Sequence, residues 1–196
     1  MKLRLIFLAA LGLQITNAQA EDRQTAVFAG GCFWCVEADF DKLDGVLATT
    51  SGFAGGTVPN PTYEQVVRED TGHREVVEIA YDAEIVSFEA LAEYLLRTVD
   101  PTDAGGQFCD RGFSYTTAIY AQDAAQLETA QAVVAELQGE LDAPIVTEIV
   151  DGGQFYPAED YHQNYYEERP LRYRFYRSRC GRDERVEEVW GSQIAG

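Results

Sequence analysis

The sequence holds four cysteines, Cys32, Cys35, Cys109 and Cys180, and the setting of Cys32 is the one that suggests chemistry. It stands in Ala29-Gly30-Gly31-Cys32-Phe33-Trp34-Cys35, between a strand-like run and a helical pattern. Two glycines permit a tight turn and a close approach of backbone. Cys32 then falls at a helix N-terminus, where free N–H groups and the positive end of the dipole favour a thiolate over a thiol. The thiolate is the nucleophile, so a reactive cysteine belongs in such a place. The bland reading is an inert core cysteine or half of a permanent disulfide. The spacing does not form a paired zinc framework, and the two histidines are far apart, so no metal site is expected.

The elements around this turn follow from periodicity. Gln24 to Phe28 reads as a strand ending at Gly30-Gly31, and Phe33 to Leu43 as a helix stopped by Asp44-Gly45. Val46 to Ser51 is a second strand, and Gly52 to Pro61, rich in Gly and Pro, a loop. Glu75 to Tyr81 alternates as a strand. Ser87 caps a helix to about Val99, with Phe88, Leu91, Leu95 and Val99 on one face. Pro101 to Ser114 is a long loop, Tyr115 to Tyr120 a strand, Asp123 to Leu137 an acid-capped helix, and Ile145 to Val150 a strand. The order β-α-β-β-α-β, with a further helix and strand, predicts an α+β fold. Its core is a two-layer, ferredoxin-like split βαβ unit with a mixed sheet and helices on one face. The aromatic, polar remainder is expected to wrap the domain as a C-terminal extension.

Residues 1–20 have the form of a cleavable signal peptide. Lys2 and Arg4 lead an apolar run from Leu3 to Leu13, and Ala18-Gln19-Ala20 supplies a small-x-small cleavage site. The run is short for a membrane span, with an uncleaved anchor as the alternative. Residues 21–196 then form a single exported, periplasmic domain with a tail from about 167. The net charge is −18, and −20 once Lys2 and Arg4 are removed. So acidic a chain excludes nucleic acid and anionic membrane surfaces as partners, with no stable membrane association expected after cleavage.

At this point the residues resemble a known family. Gly31-Cys32-Phe33-Trp34 is the signature of the A-type peptide methionine sulfoxide reductases. Four segments match in order: Gly55-Gly56 with Asn60-Pro61-Thr62-Tyr63; Thr71-Gly72-His73-Arg74-Glu75; Asp110-Arg111-Gly112 with Tyr115; and Ala158-Glu159-Asp160-Tyr161-His162-Gln163. The likeness covers about Ala26 to Tyr166. It implies reduction of the S epimer of methionine sulfoxide, free or within oxidised proteins, with no bound cofactor. It implies Cys32 as nucleophile and Glu75 as the acid that protonates the sulfoxide oxygen; such an acid needs a partly apolar site to raise its pKa. Tyr63 and Tyr115 match tyrosines that hydrogen-bond that oxygen, donating without carrying charge. Phe33 and Trp34 match an apolar wall for the substrate methyl group, Asp110 and His162 polar residues of the site, and Tyr165 a supporting one. A monomer is the default.

Attack leaves Cys32 as a sulfenic acid, which a second thiol converts to a disulfide for an external, thioredoxin-like dithiol to reduce. Here the sequence departs from the commonest family pattern, which has glycine at position 35 and a resolving cysteine in the tail. Three candidates are open. Cys180 is flanked by Arg177 and Arg179 in a tail able to bring it to Cys32; Cys109 adjoins Asp110; Cys35 lies one helical turn from Cys32. Alternatively Cys109 and Cys180 form a structural disulfide. Two other readings compete. One is a thioredoxin-like dithiol–disulfide oxidoreductase acting through Cys32 and Cys35, although no proline loop is evident to face that motif. The other is a non-catalytic exported binding domain with two disulfides.

Overall fold

The computed structural model describes residues 23–191; the expected signal peptide, at 1–20, lies outside them. In chain order the elements are β1 (Arg23–Gly30), α1 (Phe33–Phe40), β2 (Val46–Ala54), α2 (Tyr63–Val66), β3 (Arg74–Asp82) and α3 (Phe88–Arg97). A small hairpin, β4 (Gly106–Gln107) and β5 (Asp110–Arg111), precedes β6 (Thr117–Ala121), α4 (Ala124–Gln138), β7 (Glu148–Asp151) and β8 (Tyr156–Pro157). Three helices end the described chain: α5 (Tyr165–Glu168), α6 (Pro170–Arg179) and α7 (Arg182–Trp190).

Six strands form one sheet in the order β7-β6-β1-β3-β2-β8. The inner pairs β1–β3, β1–β6 and β2–β3 are antiparallel, as a split βαβ unit requires, and β7 joins β6 in parallel. That parallel step needs a crossover, which α4 supplies. Alternation along β1 divides two cores. Ala26 and Phe28 face α1, α3 and α4, packing with Phe40, Leu91, Leu95 and Val133. Val27 and Ala29 face the other way, onto Val76, Ala118 and Tyr120. Each fully buried Leu or Phe contributes about 1.5–3 kcal/mol, so the helical face carries most of the stability. No described residue is a methionine: the sequence has one, Met1, which lies outside them. Among the described residues no helix is long and apolar enough to cross a membrane.

The expected caps are present: Ser87 accepts from the Ala90 N–H at 3.1 Å and Asp123 from the Gln126 N–H at 2.8 Å. Some boundaries differ. The first helix ends at Phe40 rather than Leu43, where the Asp41 carboxylate is engaged by the hydroxyls of Thr49 (2.7 Å) and Tyr166 (2.8 Å). β2 runs past Ser51 to Ala54 because β3 and β8 both pair with it there. Tyr115 lies in a single 3-10 turn before β6, not in the strand.

The sheet determines where chemistry can occur. Phe28 pairs with Val77 and Gly30 with Thr117, so β1 ends beside the start of both β3 and β6. The turn after β1, the first residues of β3 and the segment before β6 therefore converge at one edge of the core.

Candidate active site

Cys32 occupies the N-cap of α1, with the N–H of Cys35 donating to its carbonyl at 3.0 Å. The preceding Gly31 has φ +81°, and a Cβ there would lie 2.5 Å from Cβ of Gln107, so only glycine fits. Glu75, the second residue of β3, is 1 % exposed and pairs across the sheet with Phe53. Its Oε2 accepts the N–H of Phe33 at 3.0 Å, which ties the acid to the first turn of the catalytic helix. Burial pushes its carboxyl up to about 8; the charge of Asp110 adds to this, and the Phe33 N–H opposes it. Glu75 is thus a neutral acid at pH 7.

The two free thiols among the described residues, Cys32 and Cys35, are both buried. Burial raises Cys32, helped by the neighbouring Cys35 and Glu75. Cys35 is lowered by the hydrogen bond from Cys32 and then, against its own burial, by the charges of Arg182 and Arg177. The helix N-terminus does not by itself make Cys32 the resting thiolate, because its sulfur is almost shut off from water. Of the two sulfurs, Cys35 is the one whose surroundings favour the thiolate.

Aromatic rings build the walls. The Trp34 indole stacks on Tyr165 with ring centroids 3.8 Å apart and planes 8° apart. Its N–H donates to Nδ1 of His162 at 3.1 Å. His162 is buried against Phe33 (5.0 Å) and Tyr63 (4.4 Å), and burial lowers its pKa, so it acts as a neutral acceptor that fixes the indole. Tyr63 begins α2, where a Thr62–Gln65 capping box closes the turn and Glu159 receives the Tyr63 N–H at 3.1 Å. The Tyr63 and Tyr115 side chains line one cavity, and burial pushes the pKa of both hydroxyls up, Tyr63 to about 12, so both remain neutral donors. Cys32, Phe33, Trp34, Tyr63, Glu75, Asp110 and Tyr115 together line a cavity of about 60 Å³, room for a small group such as methylsulfinyl. A wide groove continues outward past Trp34, Tyr161, Tyr165, Arg169 and Arg172.

The fold thus gathers every expected residue of the reaction centre except two of the three resolving candidates. Cys180 is not a free thiol in a mobile tail. It is bonded to Cys109, 71 residues away, with Cα atoms 4.9 Å apart, so neither is free to resolve a sulfenic acid. The cause is packing: α6 buries Tyr173 against Cys35 and Ala38, and Arg177 pairs with Asp39 at 2.8 Å, which brings the end of α6 over the β4–β5 hairpin. Cys109, Asp110 and Cys180 are the one cluster of potential metal donors among the described residues, and its two sulfurs are joined to each other.

Sequence reasoning missed Tyr176. It lines the same cavity as Cys32, its hydroxyl donates to Asp110, and its ring meets Trp34 edge-on at 5.8 Å. Within Arg172-Tyr173-Arg174-Phe175-Tyr176-Arg177 no local signal separates it from the exposed Phe175 beside it.

A buried acid beside a thiol pair at a helix start, on an α+β sheet, defines a thiol-dependent reductase. Comparison with known proteins specifies which. The model of the peptide methionine sulfoxide reductase family matches residues 24–194, and the chain belongs to that family. It is 52% identical over 176 residues to a peptide methionine sulfoxide reductase, MsrA 2, of Rhizobium meliloti, covering 90% of this chain and 88% of the relative. The MsrA of Bacillus licheniformis is 46% identical, covering 88% of this chain and 96% of its own. Methionine sulfoxide reductase A of Corynebacterium diphtheriae superposes with a TM-score of 0.73 at 34% identity, covering 78% of each chain. Mxr1 of Saccharomyces cerevisiae in reduced form gives 0.72 at 28% identity, covering 76% of this chain and 87% of that one. Mxr1 has also been solved in complex with Trx2; that likeness, at 21% identity and a TM-score of 0.53, concerns the fold. The activity is thiol-dependent reduction of methionine sulfoxide.

Proposed function

We propose that this protein is an exported, periplasmic enzyme that reduces the S epimer of methionine sulfoxide, free or in oxidised proteins, with Cys32 as nucleophile and Glu75 as acid. The observation that carries this reading is the neutral, buried Glu75 held against the first turn of the helix that Cys32 caps. The sulfoxide methyl group enters between Phe33 and Trp34, and Tyr63 and Tyr115 donate to its oxygen. Cys32 attacks the sulfur while its proton moves to Cys35, and Glu75 protonates the oxygen. Methionine leaves, and the oxygen stays on Cys32 as a sulfenic acid. His162 and Tyr165 act by holding Trp34 in place, and Asp110 by anchoring Tyr176.

Cys35 resolves the sulfenic acid. It is the second free thiol among the described residues and lies one turn from Cys32, a spacing compatible with a disulfide. A thioredoxin-like dithiol then reduces the Cys32–Cys35 bond, a reading supported by the Trx2 complex of yeast Mxr1. The export sequence at 1–20 supports a periplasmic location, and the reductant must then be exported or membrane-fed. The protein acts as a monomer, since one chain supplies every group of the reaction.

Turnover of the separated epimers tests this, with dithiothreitol or thioredoxin as reductant. The S epimer alone should react. Cys32→Ser should be inactive with either reductant, whereas Cys35→Ser should turn over with dithiothreitol and fail with thioredoxin. Activity confined to the R epimer refutes the assignment.

A further inference from the structure

Arg182, at the start of α7, is 1 % exposed, the most deeply buried cation of the described chain. Its Nη1 donates to the carbonyl of Gly30 at 3.2 Å, and its guanidinium lies 4.9 Å over the Phe108 ring. Its Nε is 3.7 Å from Oδ2 of Asp39, and neither Nε nor Nη2 has a hydrogen-bond partner. A buried cation left partly unpartnered is costly unless an anion lies close by. The charge of Asp39 is shared: its Oδ2 faces Arg182, while its Oδ1 takes Arg177 at 2.8 Å and Lys42 at 3.2 Å. Cys35 stands one turn before Asp39 on α1, under Tyr173.

The groups facing Cys35 are Cys32 and Asp39 from α1, Glu75 from β3, Tyr173 and Arg177 from α6, and Arg182 from α7. Glu75 and Tyr173 are neutral at pH 7, since burial raises both. Inside the protein two guanidinium groups therefore meet one buried carboxylate, Asp39; the other carboxylate, Asp183, pairs Arg177 at 2.6 Å from the solvent side, its own side chain 63% exposed. The Cys35 sulfur is the neighbouring buried group able to supply a second negative charge. We propose that Arg182 and Arg177 are positioning residues that hold Cys35 as an anion, ready to attack the Cys32 sulfenic acid; this rests on Cys35 being the resolving thiol. In that step the Cys35 sulfur bonds to the Cys32 sulfur and the Cys32 S–O bond breaks. Cys35 sulfur is oxidised and Cys32 sulfur reduced. The hydroxide leaves as water with a proton from Glu75, which has by then received the one Cys35 was carrying. The Cys109–Cys180 bond and Gly181 (φ +66°) join α6 to α7, so one clamp sets the position of both arginines.

In a Cys32→Ser background with the Cys109–Cys180 bond intact, Cys35 is the one thiol of the described chain, and its ionisation can be followed by thiolate absorbance against pH. Arg182→Met should raise the midpoint by about one pH unit, and Arg182→Lys should restore part of the shift. Arg177→Met, at a less buried site, should shift it in the same direction. With Cys32 present, the sulfenic acid in Arg182→Met should persist about tenfold longer at neutral pH, before any reductant is added. Midpoints that do not move in either methionine variant, in protein that still melts in one cooperative transition, overturn the proposal. Separately, a Cys35→Ser protein whose sulfenic acid disappears as fast as that of the wild type overturns the resolving role itself, whatever the midpoints show.

Discussion

Replacing Glu75 by Gln keeps the size of the side chain and removes its proton. Burial lifts this carboxyl from 4.5 to about 8. At pH 7 a group with the lower value is protonated in about one molecule in 300, and with the higher value in about nine in ten. The site thus multiplies the population of the donor form about 300-fold, at a cost of about 5 kcal/mol to ionise Glu75 in the folded protein. Removing a positioned acid typically costs a factor of about 10²–10⁴. The assay is a single turnover of the S epimer, with released methionine quantified after quenching. Glu75→Gln should slow methionine release by a factor in that range. The wild-type rate should fall as pH rises through about 8, and the variant should lack that limb because it has no carboxyl to lose a proton. A variant within threefold of the wild type, or one that keeps the same descending limb, would refute the acid role.

Tyr176→Phe removes the hydroxyl that donates to Asp110 in the cavity beside Cys32, so kcat should drop by about ten- to a hundredfold with KM less affected, as buried unpaired groups cost about 1–3 kcal/mol. An unchanged kcat contradicts a role for that hydroxyl. Tyr165→Leu removes the ring stacked on Trp34 and should raise KM for sulfoxide several-fold, about 1 kcal/mol, with the free-thiol count unaltered. The double variant Cys109→Ser/Cys180→Ser opens a loop of 71 residues and should lose about 3–5 kcal/mol of stability in a denaturant titration; a loss under 1 kcal/mol would show the α6–α7 clamp to be redundant. Glu37, inside α1, is raised to about 7 by burial. The folded state then holds its proton more tightly than the unfolded chain, so stability falls as pH rises from about 4.5 to 7. Glu37→Gln should flatten that slope, as melting temperature against pH would report.

Much of this was legible because the decisive signals are local. Glycine before Cys32 and the Ser87 and Asp123 caps each act within a few residues and place the turns and helices, whereas Glu75 was legible as the acid only through the family resemblance; β3 itself is buried on both faces and carries no alternation to mark it. What escaped depends on contacts far apart in sequence. The sequence leaves the tail free to carry Cys180 to Cys32, yet Tyr173 packs it on Cys35 and Ala38 and Arg177 pairs with Asp39, 138 residues away. Arg182 looks like any surface arginine of an acidic chain and is instead buried against Phe108, Asp39 and the Gly30 carbonyl. The end of α1 shifted because Thr49 and Tyr166 engage Asp41, partners that no helical periodicity contains.

The cores described above use Phe, Leu, Ile and Val where many proteins place a thioether to fill irregular gaps. An oxidant that produces this enzyme's substrate converts thioethers into polar, chiral groups that loosen packed interiors. A catalyst whose interior lacks them keeps its shape while damage accumulates around it, and no molecule of it needs mending by another of its kind.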